Sequence, residues 1–178
     1  MKKQVLRNLE LLKKEVQNKR EPANMGPPEL IRIEPDDYHA KYIGRSQDGL
    51  QFFLTSLFIP PSLFVPFGIS SLLYPLGCEF LALFLFNNEG VLVESIVDKL
   101  GPRLSLDVEH ARELRKQRLA KLGSVTHRDI QVKPFAVEHY GVMMGLIPSK
   151  FEDRWTVELL PGNFMAFWEP WDDGGYDT

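Results

Sequence analysis

Cysteine occurs once in the 178 residues, at Cys78, so no disulfide can form within the chain. Small secreted domains lean on such cross-links, and a lone thiol therefore points to a reducing compartment, with the cytoplasm as the expected location. An excess of either charge is also missing, since 21 Lys and Arg stand against 24 Asp and Glu, for a net charge of -3. A nucleic-acid binder needs a basic face to meet phosphates, so nucleic acid is not an expected partner. Metal-ligand spacing is absent too: His39, His110, His127 and His139 are scattered and form neither an H-x-x-x-H nor an H-E-x-x-H pair. With one cysteine, a Cys-rich zinc site is excluded. There is no G-x-S-x-G elbow and no Gly-rich phosphate loop, and the Glu79 carboxylate beside Cys78 disfavours a nucleophilic thiolate. The expectation is therefore no metal and no cofactor, with an enzymatic role unsupported by any motif.

Charge is missing in a second sense, because no Asp, Glu, Lys or Arg occurs from Gly49 to Cys78. Residues 57–76 have the length of a membrane span, but they contain Pro60, Pro61, Pro66, Pro75 and Gly68. Each interior proline removes a helical hydrogen bond at a cost of about 3 kcal/mol, so the stretch does not read as a transmembrane helix. It reads instead as an apolar insertion, 59–77, that folds over the body as a lid or stands exposed as a patch bearing Phe64 and Phe67. The amino terminus does not resemble a secretory signal either, since charges recur at Arg7, Glu10, Lys13, Lys14 and Glu15.

What is present begins with an amphipathic helix over residues 1–20, where Val5, Leu9, Leu12 and Val16 recur at helical spacing. Seven basic residues against two glutamates give this segment a local charge of +5. It docks on the body, pairs with a second copy through residues 2–19, or meets anionic lipid through Lys2, Lys3, Arg7, Lys13 and Lys14. A Pro-rich linker is read over 21–35, and the main domain over 36–178. Within that domain His39–Arg45 and Leu50–Phe58 flank Ser46-Gln47-Asp48-Gly49, and Glu79–Phe86 and Val91–Asp98 flank Asn87-Asn88-Glu89-Gly90; both patterns predict hairpins. The run Phe80 to Phe86 has no polar face and must be covered on both sides. Residues 105–122 predict a helix begun by Ser105 or Asp107 and ended by Gly123. Arg115 and Arg118 fall on its apolar face, snorkelling to water or meeting a carboxylate or an anion. Further strands are read at 129–137, 141–147, 155–160 and 164–168. The fold class expected is α+β, a single domain with an antiparallel sheet of about six or seven strands and helices packed on it.

The carboxyl tail, Phe167 to Thr178, carries four acids, four aromatics and no base. Its rings either plug the core or anchor a protein partner whose Lys or Arg meets the acids. The candidate partner-binding residues are therefore Trp168, Glu169, Trp171, Asp172, Asp173, Tyr176 and Asp177, with Phe64 and Phe67 from the apolar insertion. The tail lacks the D-x-[DN]-x-[DN]-G spacing of a calcium loop.

Tyr42-Ile43-Gly44-Arg45, Asp48-Gly49-Leu50-Gln51-Phe52, Ala82 to Phe86, Asp129 to Phe135 and the terminal Glu169-Pro170-Trp171-Asp172 with Tyr176-Asp177-Thr178 follow one another in an order that resembles a family of bacterial proteins. Many of its members carry the label "formate hydrogenlyase regulatory protein". The resemblance spans roughly 36–178, by motif order along a chain of single-domain size. It implies a bacterial, single-domain protein with no catalytic residue to carry over. The amino-terminal helix, the longer 59–77 segment and an extra residue in the terminal Asp/Gly turn depart from the family pattern. The function expected is a non-enzymatic regulatory or protein-interaction module. The competing expectation is a small-ligand protein or enzyme with a pocket under 59–77, using Glu138, His139 and Tyr140.

Overall fold

The structure, a computed structural model, describes residues 26–61, 74–162 and 165–178. The amphipathic segment 2–19, Phe64 and Phe67 lie outside the described residues.

Both predicted hairpins form. Strands β2 (Tyr42–Arg45) and β3 (Gln51–Ile59) pair antiparallel, as do β4 (Cys78–Phe86) and β5 (Leu92–Gly101). Strands β3 and β4 also pair along their whole length, from Gln51 opposite Phe86 to Ile59 opposite Cys78. With β6 (Thr126–His127) at one edge, they make a five-stranded sheet in the order β5-β4-β3-β2-β6. The contact between β2 and β6 is close: a Cβ on Gly44, at φ 150°, would lie 2.1 Å from the Thr126 carbonyl oxygen, so the position requires glycine.

The expected α+β architecture, with one sheet of about six or seven strands and packed helices, is overturned. The molecule is mostly β, with eleven strands in three antiparallel sheets and one α-helix among the described residues. The second sheet has four strands in the order β11-β10-β9-β8, from β8 (Val137–His139), β9 (Val142–Phe151), β10 (Arg154–Leu160) and β11 (Ala166–Phe167). The third pairs β1 (Ile31–Ile33) with β7 (Ile130–Val132). Residues 129–137, expected to form one strand, are divided between sheets because Pro134 brings no N–H to a ladder. The range read as a linker, 21–35, contains β1, whose Ile31 and Ile33 are fully buried.

Because successive side chains on a strand point to opposite faces, β3 and β4 feed two cores. Phe53, Leu57, Phe80, Ala82, Phe84 and Phe86 face the other two sheets and meet Met144, Leu146, Val157, Leu159 and Phe167. Phe52, Leu54, Leu81, Leu83 and Leu85 face the opposite way, toward helix α1 (Val108–Lys121). Strand β4 is buried at all nine positions, so the two-sided covering its apolar run requires is supplied by a β layer on one side and a helix on the other.

Helix α1 starts at Asp107, whose side chain accepts from the His110 N–H, and stops at Leu122 ahead of left-handed Gly123. Only Ala111 of the helix is buried, with Leu114 and Leu119 partly so. Charge pairs therefore matter to its seating. Arg118 meets Asp98 of β5 with two bonds of 2.7 and 2.5 Å, and Lys121 meets Glu94 at 2.9 Å. The Arg118 pair is the carboxylate partner among the alternatives read for this side chain.

Candidate functional site

The tail is held against β1 and the loop after it by backbone bonds. Arg32 N–H donates to the Trp171 carbonyl at 2.9 Å and Glu34 N–H to the Gly174 carbonyl at 3.2 Å, while Arg32 Nη1 reaches the Asp172 carbonyl at 3.2 Å. The approach is close enough that a Cβ on Gly174 would lie 2.4 Å from Glu34 Cγ. Further along, Asp177 exchanges both backbone bonds with Ala166, at 2.9 Å each, and closes the free edge of β11.

This stitching sorts the tail by chemistry. Trp171 and Tyr176 are half-buried and pack on the main core, with the Tyr176 ring 5.7 Å from that of Phe167. The Tyr176 hydroxyl donates to Asp36, and burial together with this carboxylate raises its pKa above that of an ordinary phenol. Trp168 is half-buried with the Arg154 guanidinium 5.1 Å from its ring centroid, a cation–π contact. Glu169 is half-buried. Asp172, Asp173 and Asp177 are exposed, with Asp173 accepting the Gly175 N–H at 3.0 Å to shape the turn. Of the described residues expected to meet a partner, Trp171 and Tyr176 are thus turned onto the core, Trp168 rests against Arg154, and Asp172, Asp173 and Asp177 face outward.

The same bonds bring a second acidic run alongside. Glu34, Asp36 and Asp37 follow β1 directly, and Arg32 is committed to Glu34 at 2.7 Å and Asp129 at 3.1 Å. The face that joins 34–37 to 171–177 therefore displays carboxylates from two segments far apart in sequence. Sequence reading found the tail half by its composition; the other half, Glu34 to Asp37, is a short acidic run whose pairing with the tail only the β1 contact reveals.

The histidines remain dispersed. His127 Nδ1 lies 3.0 Å from the Ile43 carbonyl, with its ring against the edge of Phe52. His139 Nε2 lies 2.9 Å from Ser95 Oγ, and the Tyr140 hydroxyl donates to the Val97 carbonyl at 3.1 Å. Both contacts tie the edge strands β5 and β8 together. A Ser–His pair is one part of a nucleophilic site, but no carboxylate is bonded to His139 among the described residues, and Glu138 is exposed. No group of three potential metal ligands occurs among the described residues. No described helix is long and apolar enough to cross a membrane. Burial raises the pKa of the Cys78 thiol.

Fold and face together define a mostly β protein with a fixed acidic surface around its carboxyl terminus. No family model, curated protein or solved structure matches the chain.

Proposed function

We propose that the protein is a non-enzymatic, cytoplasmic protein-interaction module of bacterial regulatory type, whose acidic face receives a basic segment of a partner protein. The observation that carries this reading is the stitching of the tail onto β1, the loop after it and β11, which holds the segment bearing Asp172, Asp173 and Asp177 against the segment bearing Asp36 and Asp37. A surface that is ordered before association avoids the entropy cost of arranging its own backbone on binding. Opposed charge then steers the partner and sets its register. The family resemblance agrees with a regulatory role but has no matching family model, so the proposal rests on the geometry.

The test is capture from the native host with the full chain tagged at its amino terminus, beside a variant carrying Asp37→Lys, Asp172→Lys and Asp177→Lys. These side chains are exposed, so melting temperature should stay within a few degrees of the parent. The expected result is a stoichiometric partner held by the parent in low salt, released by raised salt and not held by the variant. A partner retained equally by both proteins, or by neither, overturns the reading.

A further inference from the structure

A second site borders the acidic face at Tyr38 and His39, where α1 fails to cover the whole outer face of the five-stranded sheet. Strand β3 is buried at Phe52 and Leu54 on that face, yet Ser56, the next residue outward on it, is exposed in the middle of the sheet. The gap is a cavity of about 110 Å³ lined by Tyr38, His39, Tyr42, Leu54, Ser56 and Arg115. Drug-sized ligands occupy pockets of roughly 300–1,000 Å³, so this notch suits a fragment-sized ligand.

Its charge is uncompensated in a way the rest of α1 is not. Arg112 pairs with Glu109, Lys116 with Glu113, Arg118 with Asp98 and Lys121 with Glu94. Arg115 alone among the helix's basic side chains has no acidic partner among the described residues. It stands instead over the Tyr42 ring, its guanidinium carbon 5.8 Å from the centroid, and Lys41 Nζ lies 5.8 Å from the same ring. Asp36, whose charge acts on the His39 ring, is occupied by the Tyr176 hydroxyl and by the N–H groups of Tyr38 and Ala40 at 2.7 and 2.9 Å. The cavity thus combines a half-buried guanidinium, a hydroxyl with no bond to the described residues at Ser56, an apolar floor at Leu54 and the rings of Tyr38, His39 and Tyr42.

We propose that this notch binds a small aromatic carboxylate, with Arg115 gripping the carboxylate and the rings of Tyr38 and Tyr42 flanking the planar frame. The guanidinium fork matches a carboxylate with two parallel bonds, and Ser56 Oγ supplies a third donor. Aromatic walls select a flat ligand over a tetrahedral anion. The site shares no side chain with the acidic face, although Asp36 and Tyr176 hold the backbone of its rim at Tyr38 and His39, so the variants that test it are placed at Arg115 and Tyr38 and leave every carboxylate of that face unchanged.

Benzoate, benzamide and inorganic phosphate are the probes, titrated into the full chain and followed by calorimetry and by amide chemical shifts. Benzoate should bind and shift the amides of His39, Ser56 and Arg115. Benzamide, the neutral isostere, and phosphate, the non-planar anion, should each bind at least about tenfold more weakly, the loss expected when one charge-assisted pair or one stacking wall is missing. Arg115→Gln should weaken benzoate by about tenfold or more, and Arg115→Lys by less, because the charge stays while the fork is lost. Tyr38→Ala, at a residue 73% exposed whose loss should leave the fold intact, should weaken benzoate but not phosphate. Absence of benzoate binding to the parent, equal binding of benzamide or phosphate, or undiminished binding by folded Arg115→Gln each overturns the proposal.

Discussion

Gln51 shows how much one polar side chain can decide in a β protein. It is 3% exposed at the head of β3, and its Nε2 donates to the carbonyls of Asn87 at 3.0 Å and Gln131 at 2.8 Å, while its Oε1 accepts the Gln131 N–H at 2.8 Å. One amide therefore joins the β4–β5 turn to the β1–β7 sheet. Gln51→Ala strands the N–H and carbonyl of Gln131, while the Asn87 carbonyl keeps the Gly90 N–H at 3.1 Å, and unfolding in urea should show a loss of about 1–3 kcal/mol. His39 offers a residue-scale test against pH. Burial lowers its pKa from 6.5, opposed in part by Asp36, so the folded state favours the neutral ring. A lowered histidine pKa gives stability that is fully present above 6.5 and is lost as pH falls through the folded value. Urea midpoints compared at pH 7.5 and pH 5 should therefore drop on acidification, and His39→Gln should show a smaller drop; an equal drop would exclude His39 as a source.

Among elements, α1 is the one whose attachment rests most on charge. With Ala111 its only buried residue, the helix gains little from apolar contact, and Asp98 at 17% side-chain exposure needs the Arg118 fork at 24%. Arg118→Gln should cost about 1–3 kcal/mol, the range for charge-assisted bonds to a partly buried group, and hydrogen exchange should quicken in α1 before it does in β3 and β4. The same elements show what a sequence can reveal. Glycine turns between apolar runs announced the two hairpins, and Ser105 or Asp107 with Gly123 bracketed α1, Asp107 proving to be the cap, because those signals are local. Sheet membership was not legible: alternation marks a strand but not its partner, and β1, β6, β8 and β11 are two or three residues long, too short for any period to show. The candidate sites divide likewise. The tail was visible in its composition, whereas the notch draws on residues 38–56 and on Arg115, which only the packing of α1 on β2 and β3 brings together.

At the scale of the whole molecule, the carboxyl terminus is structure as well as surface. A tail that merely carried a recognition motif would be removable, like most chain ends, without cost to the body. Here residues 171–177 complete the core with Trp171 and Tyr176, satisfy the N–H groups of Arg32 and Glu34, and close the edge of β11 through Asp177. Removing residues 171–178 would expose apolar surface on the main core, uncover two donors, one on β1 and one just after it, and leave an open strand edge, each a recognised route to instability or aggregation. Truncation should therefore lower the melting temperature by about 10 °C or more, at roughly 2–4 °C per kcal/mol for a chain of this length. Trp171→Ala, a half-buried ring, should cost part of that, about 1–3 kcal/mol, less than the value for a fully buried one. Charge reversal at Asp172 and Asp177 should leave the melting temperature nearly unchanged while altering what the protein captures. That contrast separates the two roles of one segment: if truncation leaves the melting curve where it was, the rings contribute nothing to the core and the fixed acidic face loses its physical basis.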